Sequence, residues 1–319
     1  MTFSIERYAG LFRQPETIQA DSTWNEHLPF AFFLVELLRP ANYVELGVFR
    51  GGSYNVFCQA VKEQKTGTKC YGIDTWEGDL HNGAYDLSVY NKLTDYQRKN
   101  YAGFSTLLKM PFDEALARFP DGSIDLLHID GYHTYEAVKH DYESWFPKMS
   151  KQGVMLFHDT QIRRMDFGVY KLWGEIAPRY PSLEFEHGCG LGVLAVGPEV
   201  SAEFRGFLSA ARQNGFFALL FAAAGRAATL VPTLWEKERV LTQINEALTQ
   251  LEAERKQIGR TVEEQRKLLG RREEQLRQIV ESPNWRLAVK LSKLSRLIAP
   301  PGTAREKLKK YLAGKLAGR

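Results

Sequence analysis

NYVELGVFRGGSYNVFCQAVKEQKTGTKCYGID, residues 42–74, sets the architecture. NYVELGV is short and apolar and predicts a strand. Gly47 opens a turn, Gly51 and Gly52 follow, and SYNVFCQAVKEQ reads as a helix. KCYGID, closing on Asp74, reads as a second strand. The same alternation continues outward in both directions. Upstream, HLPFAFFLVELLRP is a helix ended by Pro40. Downstream, STLLKM is a third strand before the helical PFDEALARF. IDLLHID is a fourth strand before TYEAVKHDYESWFPKM, and GVMLFHD a fifth before GVYKLWGEIAPRY. LEFEHG and LGVLAVG look like a closing antiparallel hairpin. Strands alternating with helices predict an α/β fold, a doubly wound and mostly parallel sheet covered on both faces.

The totals agree with one such domain plus an appendage. The chain has 319 residues, of which 44% are apolar, enough to fill a core. Three cysteines, Cys58, Cys70 and Cys189, with no CxxC pair, argue against a disulfide framework and a zinc site. The first residues, MTFSIERYAGLFRQPET, have acids and no long apolar stretch, so they do not read as a signal peptide. The most apolar run, GFFALLFAAAG from Gly215, is too short to span a bilayer. The expected location is cytoplasmic.

From about residue 234 the texture changes. Every seventh residue from Leu234 gives Leu241, Leu248, Arg255, Val262, Leu269 and Leu276. The companion series is Lys237, Ile244, Leu251, Ile258, Gln265, Arg272 and Ile279. Apolar residues dominate both, which predicts a long α-helical coiled coil that makes the chain a homo-oligomer. Arg255, Gln265 and Arg272, with Gly259 and Gly270, predict a weak or register-setting middle. The expected division is therefore 1–200 for the α/β domain, 201–233 for a helical connector, 234–282 for the coiled coil and 283–319 for a tail. That tail carries ten basic residues against Glu306 alone, a formal side-chain charge of +9, where the whole chain has +4. Trp285, Leu287, Leu291, Leu294 and Ile298 recur within it at helical spacing. A basic amphipathic helix suits an anionic membrane surface, which allows peripheral contact with the inner membrane; a solvated helix or a protein partner is the alternative. Nucleic acid is not expected, because stacking aromatics are sparse.

Ligands of such sheets bind beyond the carboxyl ends of the strands. Those ends carry Glu45-Leu46-Gly47, Asp74, Asp130 and Asp159. VELGVFRGGSY is not a dinucleotide fingerprint, because Phe49 stands where the second glycine would be. Glu45, Gly47, Gly51 and Asp74 suit instead a ligand with an adenosine ribose and a cationic centre, and S-adenosylmethionine has both. The stretch IDLLHIDGYHTYEAVKHDYESWF adds a carboxylate, Asp130, and an imidazole, His133, where a buried strand stops. They are candidates for a catalytic edge. The structural alternative is that Asp130 caps the next helix and His133 lies on the surface.

YVELGVFRGGSY, CYGIDTWEGD, IDLLHIDGYHTYEAVKHDYESWFPKMSKQGVMLFHDT and GCGLGVLAVG together resemble class I S-adenosylmethionine-dependent methyltransferases. The nearest group is the methyltransferase-24 type, sugar and small-molecule O-methyltransferases. The resemblance covers roughly residues 25–200 and implies a Rossmann-like fold. It places Glu45, Gly47 and Gly51 in the methionine-end loop, Asp74 on the ribose, and Phe112 and Asp113 at the adenine. It also sets Asp130 at the cofactor edge. Many such enzymes bind Mg2+ through acids ending the fourth and fifth strands, here Asp130 and Asp159, with an Asn or Asp next in line. Thr160 occupies that third place and is a poorer ligand. His133 stands where the family's base lies, and His158 is the alternative base. SPNWRLAVKLSKL also resembles a tail of bacterial surface-polysaccharide proteins.

The expected function is O-methylation of a sugar or glycan hydroxyl, in surface polysaccharide or glycolipid biosynthesis. The alternative is a non-catalytic scaffold with the same fold that organises a glycan-assembly complex. His187 and Cys189 are expected to shape the hairpin or line the acceptor pocket, His128 to be a core histidine, and Lys139, His140, Asp141 and Glu143 to form a solvated helix face.

Overall fold

The computed structural model describes residues 3–19, 22–79 and 83–317. The chain divides into two units, Met1–Lys237 and Glu238–Arg319. In the first, the strands are β1 (Asn42–Leu46), β2 (Lys69–Asp74), β3 (Gly78–Asp79), β4 (Gly83–Ala84), β5 (Ser105–Lys109), β6 (Ile124–Ile129), β7 (Met149–His158), β8 (Ser182–Phe185) and β9 (Leu191–Ala195). Its helices are α1 (Leu28–Leu38), α2 (Gly52–Gln64), α3 (Leu87–Tyr101), the single turn α4 (Phe112–Ala115), α5 (Tyr135–Trp145), α6 (Val169–Ile176) and α7 (Ala202–Gln213). α8 (Phe216–Glu281) runs from the first unit into the second, which also holds α9 (Pro283–Ile298) and α10 (Ala304–Ala317).

Seven strands form one sheet in the order β5-β2-β1-β6-β7-β9-β8, with β3 and β4 a separate small hairpin. β5, β2, β1, β6 and β7 are parallel, and β9 and β8 run antiparallel at the edge. The doubly wound sheet and its closing hairpin are as the alternation predicts. The chain winds outward from β1 to β5, then returns to β6 on the other side of β1. This reversal opens a crevice at the carboxyl ends of β1 and β6.

Alternation along the strands sorts side chains between two cores. Tyr43, Leu126, Val154 and Leu156 face one core with α1 and α2. Val44, Leu46, Leu127, Ile129, Met155 and Phe157 face the other with α5 and α6. The first face also receives Glu45 and His128, which are cross-strand partners in the β1–β6 register. α1 is buried nearly all round, Leu28 to Val35, as its unbroken apolar run requires.

Two boundaries differ from expectation. Phe204, Phe207, Phe217 and Phe221, from α7 and the start of α8, are buried in the first core. Part of the segment 201–233, expected as a connector, thus packs on the α/β domain, with Phe217 and Phe221 of GFFALLFAAAG buried and Phe216 and Leu219 exposed. α3 has no counterpart in the sequence reading, since LSVYNKLTDYQRKNY buries only Leu93, Gln97 and Tyr101.

In the second unit α8 is unbroken through Gly259 and Gly270. The heptad residues Leu241, Ile244, Leu248, Leu251, Ile258, Val262, Leu269, Leu276 and Ile279 are all exposed in the single chain. The tail is two helices rather than one, split at Pro300–Pro301. Among the described residues no helix is long and apolar enough to cross a membrane.

Candidate active site

A cavity of about 520 Å3 opens at the crevice between β1 and β6. Gly47, Val48, Phe49, Gly52 and Ser53 form one wall, with Asp74, Thr75 and Phe112 beside them. Asp130, Gly131, Tyr132, His133, His158 and Asp159 form the base of the opposite wall. Gln19, Ser22, Thr23 and Trp24 close it on one side, and Ile162, Arg164, Met165, Phe167 and Cys189 on the other.

The glycine loop is held by Asp74. One carboxylate oxygen accepts from the amides of Val48 and Phe49, both at 2.9 Å, and the other from the amide of Trp76 at 2.7 Å. Trp76 Nε1 donates back to the Phe49 carbonyl at 2.8 Å. These bonds fix Phe49 in a left-handed conformation, φ 49°, that a side-chain-bearing residue rarely adopts. Gly47 has φ 87°, and a Cβ there would lie 2.0 Å from the Asp130 carbonyl oxygen. Only glycine lets β1 and β6 come together at the switch point.

Three of the expected cofactor residues do not present side chains to this cavity. Glu45 is fully buried beneath it, since residue 45 falls on the core face of β1. Its carboxylate accepts from Tyr43 Oη and Ser53 Oγ and faces His128 Nδ1 at 3.3 Å. It braces Ser53, which does line the cavity. Gly51 caps α2 with φ 80° and turns its Cβ direction to Leu93, while Gly52 faces the cavity. Asp113 is exposed, and its carboxylate bonds His140 Nε2 at 2.8 Å. Phe112, beside it, does line the cavity and packs on Gly131.

Asp130, His133, His158 and Asp159 do converge. His133 Nε2 lies 2.9 Å from an Asp159 oxygen and 3.5 Å from an Asp130 oxygen. His158 Nδ1 lies 3.4 Å from both carboxylates, and its Nε2 lies 3.1 Å from the Gly188 carbonyl. A carbonyl only accepts, so Nε2 of His158 carries a proton while Nδ1 faces two carboxylates. Burial alone would lower this imidazole, but Asp130 and Asp159 outweigh it and hold its pKa well above the usual value. His158, the alternative base, and His133 thus both face the same two carboxylates. Burial also works against His133, and the same two carboxylates lift it to about 9. Burial would raise Asp130, yet His158 and His133 keep it well below the carboxylate range, and they hold Asp159 to about 2.

The loop after β7 anchors His133. The Gly168 amide donates to the His133 carbonyl at 2.8 Å, and the Phe167 ring stacks on the imidazole at 4.8 Å between centroids. Thr160 is fully buried, does not line the cavity, and packs its hydroxyl against Gly190. It therefore offers nothing to a metal. Donor atoms of Asp130, His133 and Asp159 lie within 4.8 Å of one another. Two carboxylates and an imidazole fit a divalent ion, although the nitrogen departs from the all-oxygen set Mg2+ prefers.

Other expectations resolve as follows. His128 is a core histidine, its Nε2 accepting from Trp24 Nε1 at 3.2 Å. Cys189 lines the cavity, whereas His187 stacks on His27 behind it at 4.8 Å. His140 and Glu143 are exposed and Lys139 is half-buried, but Asp141 is buried, and burial pushes its carboxyl up to about 7. The sequence reading missed the wall residues Gln19, Ser22, Thr23 and Trp24 and the Ile162–Phe167 loop. Neither carries a periodic pattern; the one usable signal is Ser22, which caps a short turn by accepting from the Trp24 amide.

Residues 44–160, from the middle of β1 to just beyond β7, match the Methyltransf_24 family, described as a methyltransferase domain. The chain is similar to an uncharacterized protein of Sinorhizobium fredii, 45% identical over 188 residues, covering 59% of this chain and 21% of that protein. An uncharacterized protein of Acanthamoeba polyphaga mimivirus is 28% identical over 124 residues, covering 37% of this chain and 51% of its own. The chain thus spans about a fifth and about half of the lengths of these curated relatives. Among solved structures, a putative caffeoyl-CoA O-methyltransferase from Staphylococcus aureus aligns with TM-score 0.42 and 14% identity, over 59% of this chain and 88% of its own. The O-methyltransferase TomG from Streptomyces achromogenes aligns with TM-score 0.42 and 13% identity, over 61% and 96%.

Proposed function

We propose that the protein is an S-adenosylmethionine-dependent O-methyltransferase that acts on a sugar hydroxyl. The observation that carries this is the meeting of Gly47, Asp74, Asp130, His133 and Asp159 in one cavity of a methyltransferase domain. When bound, S-adenosylmethionine supplies the methyl as an electrophilic sulfonium. Asp74 has acceptor capacity left for one ribose hydroxyl, since its two oxygens take three amide protons in all. The Phe112 ring gives the adenine an apolar wall, and the Gly47–Ser53 turn lets backbone approach the methionine end.

An acceptor hydroxyl must lose its proton as it attacks. His133 is the proposed recipient, held by Phe167 and facing Asp130 and Asp159. Its neutral form is active, so its elevated pKa makes turnover rise with pH towards about 9. A divalent ion on Asp130, His133 and Asp159 would stabilise alkoxide charge, and His133 would then serve as ligand rather than base. Gln19, Ser22 and Thr23 offer hydrogen bonds opposite Ile162, Met165 and Phe167, a pairing of polar and apolar walls that suits a sugar ring. The polysaccharide setting rests on the likeness of the Ser282–Leu294 segment to tails of bacterial surface-polysaccharide proteins. The exposed heptad face of α8 is proposed to pair with a second copy of the chain.

The test is calorimetric titration with S-adenosylhomocysteine, followed by release of that product with a panel of glycans. Micromolar binding that Asp74→Ala abolishes supports the reading. Absence of binding overturns it and favours the scaffold.

A further inference from the structure

We propose that α9 is a docking surface for an anionic lipid bilayer, with Leu287, Leu291, Leu294 and Ile298 entering the headgroup boundary beside Arg286, Lys290 and Lys293. α9 is a helix of its own: Ser282 caps it by accepting from the Trp285 amide, and Pro283 opens it. At about 100° per residue the four aliphatic side chains fall within an arc of about 60°. They are 57%, 58%, 55% and 65% exposed. Arg286, Lys290 and Lys293 fall in a second arc of about 60°, directly adjoining the first.

No acid occurs between Pro283 and Ile298, and among the described residues none of these cations is in an ion pair. The cations are long enough to lie along the apolar surface and reach lipid phosphates. α10 offers no such face. Its Glu306 takes Lys310 at 2.9 Å, and its basic residues are scattered around the helix. The same geometry corrects one expectation, because Trp285 lies about 160° from Leu287 and is off the aliphatic stripe.

Charge selects the occupant. A second α9 would set four unpaired cations against four, which disfavours self-pairing. Nucleic acid would satisfy the cations but leave the aliphatic stripe in water, and the cationic arc carries no aromatic ring for stacking. An anionic bilayer satisfies both arcs together.

The experiment is sedimentation of the full chain with vesicles of phosphatidylcholine, alone or mixed with phosphatidylglycerol. The wild type is expected to partition onto mixed vesicles only. Lys290→Gln with Lys293→Gln is expected to weaken this about 30-fold, at roughly five-fold per cation. Leu291→Ser with Leu294→Ser is expected to abolish it at moderate salt, with melting temperature and S-adenosylhomocysteine binding unchanged. No partition onto mixed vesicles overturns the proposal, and so does equal partition onto both kinds. Binding that survives the leucine changes and is competed by DNA indicates a polyanion site and also overturns it. Light scattering that shows the leucine changes splitting an oligomer, without vesicle binding in the wild type, assigns the stripe to a second copy instead.

Discussion

Asp74→Ala separates the two tasks assigned to this carboxylate. In the free protein it anchors three amides, those of Val48, Phe49 and Trp76. A hydrogen bond to a charged partner contributes about 1.5–3 kcal/mol when nothing replaces it. These amides border an open cavity, so water takes over part of each bond and the lower end applies. Releasing Phe49 from its left-handed conformation returns about 1 kcal/mol. The net loss is then about 3.5 kcal/mol, or roughly 7–14 °C in melting temperature for a domain of this size. Cofactor binding is expected to weaken too, since one ribose hydroxyl loses a charged acceptor, about 1.5–3 kcal/mol, which is roughly 10- to 150-fold in Kd.

Thermal melting followed by circular dichroism reads the first effect, and titration with S-adenosylhomocysteine the second. Asp74→Asn keeps one acceptor oxygen and is expected to fall between wild type and Asp74→Ala in both. A variant that melts like wild type refutes the anchoring of the loop. A variant that melts lower yet binds product as well as wild type refutes the ribose role. Loss of binding alone, at unchanged stability, shows that the loop holds its shape without Asp74.

Three further outcomes follow from the same geometry. His133→Ala is expected to lower turnover at least about 100-fold while leaving S-adenosylhomocysteine affinity within about two-fold, as product-release and calorimetric assays will read. Metal-free protein, kept so by a chelator, should lose stability as pH rises: the His133 contribution is fully present below about 6.5, its unfolded value, and is lost through about 9. Urea unfolding at either end of that window should therefore show wild type and His133→Ala converging at high pH; a constant gap contradicts the pairing with Asp130 and Asp159. Leu248→Glu with Leu251→Glu should reduce the mass measured by light scattering to that of one chain, because both residues lie in the exposed heptad face. An unchanged mass excludes that face as the contact.

The sheet was legible because its strands are short apolar runs and its helices carry caps and stripes. The strand-end acids were legible too, since a carboxylate after IDLLHI or GVMLFH has no core to enter. What the residues alone did not reveal was which side each acid faces. Glu45 lies one residue before the end of β1, and strand alternation sends it into the core with His128. Asp113 sits on the outer side of a single turn, where nothing holds it towards the cavity. Asp141 hides among Lys139, His140 and Glu143, yet the helical period turns that one position inward. The wall residues Ser22, Thr23 and Trp24 were silent for a different reason: the short turn they open, Thr23–His27, is too brief to leave a period.

The placement of His158 explains how two carboxylates persist at the edge of a buried site. Asp130 and Asp159 end neighbouring strands, and their side chains are only 20% and 11% exposed. Like charges in such a position ordinarily force one carboxyl to keep its proton. Here β7 ends with His158 on the core face and Asp159 just beyond it. The imidazole therefore sits beneath both acids, at 3.4 Å from each. Its other nitrogen shares the Gly188 carbonyl with His27, whose own pKa burial and His158 hold low. The His158 imidazole, itself raised by the two acids, holds both carboxylates below their usual range. The same two carboxylates face His133 Nε2, at 3.5 and 2.9 Å. A single strand ending in His-Asp thus supplies both an acid of the cluster and the charge that tolerates it.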